Sequence, residues 1–232
     1  ACGIFAISEN SVRVALVRLS ADGLVQAAGR GHYRLGPQAM DLAGDVATWR
    51  SAEQRLSTWN GDWITVFTAN LGRTNRTALK RRERALNMVG FRELEQGLHI
   101  RPNNLANGPE GALIRLRKLG LEPEARICLS QSWSDEQTLK TLWDSEHLNA
   151  NYRHWQQTLE AWIGQATELD AEAAARESFL LGGQAIRHVV FDPLLPDSFI
   201  DSQARLAFVA SVRKFDKVGH QIWQTLYATA LR

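Results

Sequence analysis

Strand-forming and helix-forming segments alternate between residues 59 and 133, and this alternation is the feature that most constrains the fold. β-branched and aromatic residues predict strands at four places, which are 61–68, 91–94, 98–100 and 126–132. Helix-forming residues occupy two stretches between them, 75–89 and 110–119, and a glycine follows each stretch. The order is βαββαβ, which predicts a ferredoxin-like middle domain.

The zones on either side have a different character. Residues 1–45 are compact and mildly basic, whereas residues 134–232 are predicted to be helical. Helices are expected near 134–144, 146–165, 170–190, 201–212 and 216–231, with a proline-rich break over 191–197. The predicted fold class is α+β, with domains at 1–45, 59–133 and 134–232. Five aromatic residues of the helical zone are expected to anchor a core or an interface, with a ligand cage as the alternative: Trp143, Trp155, Trp162, Phe179 and Trp223.

Composition and charge exclude several classes of protein. The chain has 232 residues, 44% of them hydrophobic, and a net charge of +2, as expected of a globular protein. It contains no apolar run of about 18 residues that would span a membrane, and no signal peptide is visible. Cys2 and Cys128 do not form a disulfide framework, so a reducing cytoplasm is the expected compartment. Because the chain begins at Ala1, we expect further residues upstream.

Residues 9–21 predict a helix with an unusual outward face. Ser8 is a suitable N-cap, and Asp22-Gly23 is a suitable end. With about 100° between successive residues, one side is expected to face a core and carries Val12, Ala15, Leu16 and Leu19. The other side carries the residues predicted to bind DNA: Asn10, Ser11, Arg13, Val14, Val17 and Arg18.

The side chains of this outward face are of the types that read duplex DNA. Arginine binds guanine edges or phosphates, asparagine binds adenine, and valine contacts the methyl group of thymine. Asn10 is accordingly the candidate for adenine, Arg13 and Arg18 are candidates for guanine or phosphate, and Val14 and Val17 are candidates for thymine methyls. An ordinary amphipathic helix whose valines contact another element fits the pattern equally well.

A short hairpin is predicted directly after this helix. Residues 24–27 and 32–35 favour strands, and the glycine-containing turn at 28–31 joins them. Helix, strand, basic turn and strand are the layout of a winged helix, in which Arg30 and Arg34 would contact phosphates beside the wing. An isolated polar hairpin is the alternative.

The first helix of the middle zone is strongly basic. Arg76, Lys80 and Arg84 stack on one side of the helical wheel, whereas Arg82 falls among apolar residues on the other side. The stack predicts binding of phosphate groups, either of DNA or of an anionic effector. A solvated helix face is the alternative for the stack, and a structural salt bridge is the alternative for Arg82.

Motifs for catalysis and metal binding are not found. The six histidines have no ligand spacing, and the chain has no P-loop, no nucleophile elbow and no glycine-rich dinucleotide motif. Some ferredoxin-like domains are metal-dependent nucleases of the CRISPR-associated type, which carry an acidic residue at the end of the first strand. Asn70 stands near that position here and is a poor metal ligand. We therefore predict no catalysis, no metal and no cofactor.

The sequence resembles the PaaX family of bacterial repressors, which is named for the phenylacetate catabolic pathway. The resemblance runs in order along nearly the whole chain. The matching segments are 7–19, 23–25, 33–35, 59–63, 90–102 and 192–196. The segment from Gly97 to Pro102, taken together with the Asp192–Pro196 break, is the most specific part.

The resemblance implies a function as well as a fold. It implies an N-terminal winged helix-turn-helix, whose first helix this chain lacks, followed by the ferredoxin-like and helical domains. It implies a homodimer that represses an aromatic catabolic operon at an inverted-repeat operator and is released by an aryl-CoA thioester such as phenylacetyl-CoA. Arg76, Lys80, Arg84 and Arg82 are the candidates for the effector phosphates. A non-catalytic RNA-binding or adaptor protein that uses the basic middle helix is the alternative.

Overall fold

The structure is a computed structural model that describes residues 3–131, 133 and 135–230. Cys2 and the predicted strand end at Ser132 lie outside these residues. The helices are α1 (Glu9–Ala21), α2 (Pro37–Ala47), α3 (Arg76–Met88), α4 (Gly108–Lys118), α5 (Glu136–Lys140), α6 (Ser145–Gln165), α7 (Ala171–Val190) and α8 (Ser202–Ala230). The strands are β1 (Val25–Gly29), β2 (His32–Leu35), β3 (Trp63–Phe67), β4 (Arg92–Glu95), β5 (Leu98–Pro102) and β6 (Arg126–Ser130).

The chain forms two compact units. The first unit consists of Ala1–Thr48, Gln156–Ile186 and Ala210–Arg232, and the second consists of Trp49–Trp155 and Arg187–Val209. The fold is mixed, with helices and two antiparallel sheets. Among the described helices, none combines the length and the apolar character needed to cross a bilayer.

The second unit is built on a four-stranded antiparallel sheet. Its strand order is β4-β5-β3-β6, and Thr65 at the middle of β3 lies opposite Ile100 and Cys128. β3 is the central strand and is buried on both faces, since Trp63, Ile64 and Val66 are each 0% exposed. The predicted order βαββαβ is confirmed, with element bounds within a few residues of those expected.

A cluster of aromatic rings extends the core of the second unit. The rings of Trp59 and Trp143 lie 5.5 and 6.2 Å from that of Trp63, and Phe199 contacts all three. The Trp59 indole N–H donates to the Asp62 carbonyl at 2.6 Å, which fixes the turn before β3. Trp143 is thus a core residue, as predicted, at 3% exposed.

The first unit contains α1, the β1–β2 hairpin, α2 and parts of the three long helices. α7 and α8 approach closely, since a Cβ atom on Gly182 would lie 3.2 Å from Cε1 of Phe215. The Trp162 ring packs 4.9 Å from Phe215, and its N–H donates to Glu177 at 2.9 Å. Trp162, Trp155 and Trp223 are half-buried.

The helical zone differs from the prediction in three ways. α8 is one continuous helix, so the expected break between 212 and 216 is wrong; this stretch contains neither Gly nor Pro, and nothing in it interrupts the helical hydrogen bonds. The helix expected at 134–144 is confined to Glu136–Lys140. α2 was not expected, although Pro37 at its first turn is a favoured helix start.

The predicted core side of α1 is also corrected. Val12 and Leu16 are half-buried, but Ala15 and Leu19 are exposed, and no residue of α1 is buried. The physical reason is that β1 alone among the described elements makes substantial contact with α1. One strand covers only part of a helical face.

Candidate nucleic-acid interface

Both ends of α1 are fixed by local hydrogen bonds. The Ser8 hydroxyl accepts from the Ser11 N–H at 3.1 Å, and Glu9 lies in the first turn, where a negative charge is favourable. At the other end, the N–H groups of Asp22 and Leu24 donate to helix carbonyls, and Gly23 adopts a φ of +66°. The predicted bounds and N-cap of this helix are confirmed.

The outward face of α1 is open to solvent. All six residues predicted for DNA contact on this helix are exposed, and Val17 is 65% exposed. The Ser11 hydroxyl shares a 2.8 Å hydrogen bond with the Ser8 hydroxyl, so its first role is in the cap. The remaining side chains present two guanidinium groups, one amide and two methyl-bearing surfaces along one helix face.

The hairpin is tied to the C-terminal end of α1. β1 and β2 pair in an antiparallel register that places Gln26 opposite Arg34, with an irregularity between Ala27 and Gly29. Gly36 donates its N–H to the Leu24 carbonyl at 2.8 Å. A Cβ atom at Gly36 would lie 2.1 Å from the Gly23 carbonyl oxygen, so only glycine fits at this position.

The cations of the hairpin are exposed as well. Arg30 lies in the turn and Arg34 on β2, and both are open to solvent. Between residues 3 and 36 the chain carries four arginines against two acids, Glu9 and Asp22. The helix and hairpin together therefore form a small, basic, solvent-exposed surface that matches the chemistry of a phosphate backbone.

The basic helix α3 starts at a well-formed cap. The Asn75 side chain accepts from the N–H groups of Thr77 and Ala78, each at 3.1 Å. Arg76 and Lys80 are exposed, and Arg84 is half-buried. These three side chains are spaced four residues apart and lie on one face, as predicted. The Arg84 Nε atom is buried and has no hydrogen-bond partner among the described residues.

Arg82 occupies a different environment from the other cations of α3. It is 4% exposed, and its Nε and Nη2 atoms donate to the Glu122 carboxylate at distances from 2.6 to 3.2 Å. Nη2 also donates to the Gly72 carbonyl at 3.0 Å. These hydrogen bonds lower the pKa of Glu122. The bidentate pair supports the salt-bridge interpretation, and a role of Arg82 in effector binding stays a prediction.

The proline-rich break is held by buried polar groups that the sequence did not reveal. Arg101 is 0% exposed, and its guanidinium donates to the Val89 carbonyl and, at 2.8 Å, to the side chain of Asn104. Asn104 in turn donates to the Leu194 carbonyl at 2.8 Å. Leu194 has a φ of +52°, which a leucine rarely adopts without such support.

Asp192 is the buried acid of this break. Its carboxylate accepts from the Leu194 N–H at 2.7 Å. Burial raises the pKa of Asp192, and the positive charge of Arg205 opposes that rise. Burial likewise raises the pKa of the neighbouring Tyr152. Asp192 thus has a structural role, because its carboxylate holds the backbone of the proline-rich break.

No group of His, Cys, Asp and Glu side chains within the described part of the chain has the geometry of a metal site. Several buried polar residues of the second unit, among them Arg101, Asn104 and Asp192, bind the protein's own backbone. The exposed cations of α1, of the hairpin and of α3 attract anionic groups.

Comparisons with known proteins identify the C-terminal part of the chain. Residues 143–225 match the family model of the PaaX-like protein C-terminal domain. The predicted resemblance is thereby confirmed, and the chain is PaaX-like over these residues. The uncharacterized protein Rv0674 from Mycobacterium tuberculosis has a solved structure with 21% identity and a TM-score of 0.46, covering 94% of this chain and 87% of that chain. No curated protein matches the sequence.

Proposed function

We propose that the protein is a DNA-binding transcriptional repressor of an aromatic, phenylacetate-type catabolic operon. The observation that carries the proposal is the exposed mixed face of α1 beside a basic hairpin, in a chain with a PaaX-like C-terminal domain. In this role α1 enters the major groove of duplex DNA as the reading helix of a winged helix-turn-helix, and the hairpin lies along the backbone. The protein has no catalytic role.

Individual contacts follow from the chemistry of the exposed side chains. Arg13 and Arg18 bind guanine edges or phosphates, and Asn10 reads adenine. Val14 and Val17 contact thymine methyls, whereas Arg30 and Arg34 neutralise phosphates beside the wing. Ser11 completes the helix cap and approaches the sugar-phosphate backbone of the DNA.

The repressor acts as a homodimer on an inverted repeat. A single winged helix buries too little surface for tight specific binding, so two copies act together. The half-sites would then lie about 34–36 Å apart, or a multiple of that distance. The helical C-terminal zone supplies the dimer contact. Sedimentation of the full protein at micromolar concentration tests this point, and a monomer at that concentration would refute it.

Release from the operator is brought about by an aryl-CoA thioester such as phenylacetyl-CoA. The exposed cations Arg76 and Lys80, with Arg84, bind the phosphates of this effector, and Arg82 supports the helix from inside. The exposed charges of Arg76 and Lys80 favour an anion at this face.

A competition experiment tests the central proposal. Full-length protein is bound to labelled duplex DNA from the upstream region of its own gene, and unlabelled duplex, single-stranded DNA and RNA of the same sequence are added separately. We expect the duplex to compete at the lowest concentration. Equal competition by single-stranded RNA would instead support the second candidate function, a non-catalytic RNA-binding or adaptor protein, which the exposed cations of α3 favour.

A further inference from the structure

An aromatic cleft lies within the first unit. Its volume is about 740 Å³, which lies in the range of roughly 300–1,000 Å³ that is typical of small-molecule sites. The N-terminal segment supplies Phe5, α7 supplies Phe179, and α8 supplies Trp223 and Tyr227. Apolar atoms form most of its lining.

The rings of the cleft pack against one another in edge-on, stacked and tilted pairs, and some of them leave large surfaces open. Phe5 lies 5.1 Å from Phe179 and 6.2 Å from Trp223, and Tyr227 lies 5.6 Å from Trp223. Phe179 and Tyr227 are nevertheless each 60% exposed. Exposed aromatic surface of this extent favours an apolar occupant, and another ring would stack on or pack against these rings.

Two glycines of α7 line the cleft. Gly183 lines the cleft, and a Cβ atom placed there would meet no atom within 4 Å. A glycine within a helix costs about 0.5–1 kcal/mol relative to alanine. At Gly182 close packing against Phe215 explains the residue, whereas at Gly183 packing offers no explanation. Gly183 borders the open space of the cleft.

One wall of the cleft is polar. Asp216 and His220 stand one helical turn apart on α8, with 3.6 Å between the Asp216 carboxylate and Nδ1 of His220. A carboxylate accepts hydrogen bonds and repels anions. A ligand that presents a hydroxyl or amino group to this wall is favoured over one that presents a carboxylate.

We propose that this cleft is a binding site for a small aromatic molecule that carries a hydrogen-bond donor, such as a phenol or an arylamine. The rings of Phe5, Phe179, Trp223 and Tyr227 hold the aromatic part, and Asp216 accepts from the donor. The site does not depend on the proposed DNA-binding function. Phe5 lies three residues before Ser8, the N-cap of α1, so an occupant contacts the segment that leads into that helix.

Calorimetric titration of the full chain with 2-naphthol tests the proposal, and 2-naphthoate serves as the anionic comparator. We expect saturable binding of 2-naphthol and binding of 2-naphthoate that is weaker by about tenfold or more. Gly183→Leu fills the cleft and should weaken 2-naphthol binding by about tenfold or more. Gly164→Leu is the matched control, because Gly164 is also an exposed helical glycine with no atom near its Cβ position, and it does not line the cleft.

Three results would overturn the proposal. The first is the absence of saturable binding to the wild type, and the second is equal affinity for the two naphthalene compounds. The third is that Gly183→Leu binds 2-naphthol as the wild type does. For this comparison, the circular dichroism and melting temperature of Gly183→Leu must match those of Gly164→Leu. If Gly183→Leu instead shifts a monomer–dimer equilibrium in sedimentation and leaves 2-naphthol binding unchanged, the cleft is a contact between two copies of the chain.

Discussion

Gly90 and Pro193 pack so closely that a Cβ atom on Gly90 would lie 2.5 Å from the Pro193 carbonyl oxygen. Gly90 follows α3, and Pro193 belongs to the proline-rich break, so the contact joins two segments that are far apart in the sequence. The Trp143 indole N–H donates to the Gly90 carbonyl at 3.2 Å and adds a third segment. All three belong to the second unit.

Gly90→Ala should therefore destabilise the protein strongly. The new methyl group meets backbone atoms that cannot rotate away, and Gly90 has a φ of +84°, which alanine adopts poorly. We expect the free energy of unfolding to fall by about 2–4 kcal/mol. Urea denaturation measures the change. Gly164→Ala is the control, with a small gain in stability expected, and equal stabilities for the two variants would contradict the close packing.

The Asp192 carboxylate supports the unusual backbone of Leu194. Asp192→Ala removes the acceptor of the Leu194 N–H and the carboxyl group on which the charge of the buried Arg205 acts. Asp192→Asn loses the charge but keeps an acceptor oxygen. We expect both variants to be less stable than the wild type, and the alanine variant to be the worse by about 1–2 kcal/mol. Equal losses in chemical denaturation would show that the hydrogen bond to Leu194 contributes little.

Glu122 makes stability depend on pH at the acid end. Hydrogen bonds from Arg82 lower the pKa of Glu122 below its unfolded value. The pair therefore stabilises the folded state fully above about pH 4.5. This contribution disappears as the pH falls through the lowered pKa. Denaturation of the wild type and of Glu122→Gln from pH 3 to 7 should show stabilities that converge in acid, and a constant difference would be the opposite result.

Much of the fold follows from local sequence signals. The cap at Ser8, the glycine after α3 and the alternating segments of the middle zone define α1 and the βαββαβ order, because each depends on neighbours in the chain. The basic face of α3 is likewise a matter of spacing alone, and the structure places Arg76, Lys80 and Arg84 as the helical wheel predicts.

Features that depend on distant partners could not be read from the sequence. The pairing of Arg82 with Glu122 spans 40 residues, and the contact of Asn104 with Leu194 spans 90. The core side of α1 was mispredicted for a related reason. Helical periodicity identifies an apolar stripe, but only tertiary contacts decide whether Ala15 and Leu19 are covered. Phe179 was expected in a core or an interface, with a ligand cage as the alternative, and it lines a cleft.

DNA binding should depend on the arginines of α1. Arg13→Ala and Arg18→Ala should each weaken binding by about 1–3 kcal/mol if the contact is bidentate to a base, and should lower the salt slope by about 1 if it is to phosphate. Arg126→Ala is a suitable control, because Arg126 is an exposed cation on β6, outside the proposed interface. Fluorescence anisotropy with full-length protein over a range of salt measures both quantities. Unchanged affinity and unchanged slope for both variants would remove α1 from the DNA.

Removal of the cations of α3 should abolish release by the effector without changing DNA binding. A triple variant, Arg76→Ala, Lys80→Ala and Arg84→Ala, should bind the operator like the wild type but should no longer be released by phenylacetyl-CoA. A ligand releases a repressor only if it binds the two states with different affinity, so release and binding are measured separately, by anisotropy and by calorimetry. Lys118→Ala, which removes an exposed cation of α4, is the control and should be released normally. If the triple variant is released like the wild type, the basic face of α3 is not the effector site. If operator affinity itself falls with the triple variant, this face contacts DNA. If no aryl-CoA releases the wild type, the effector belongs to another chemical class.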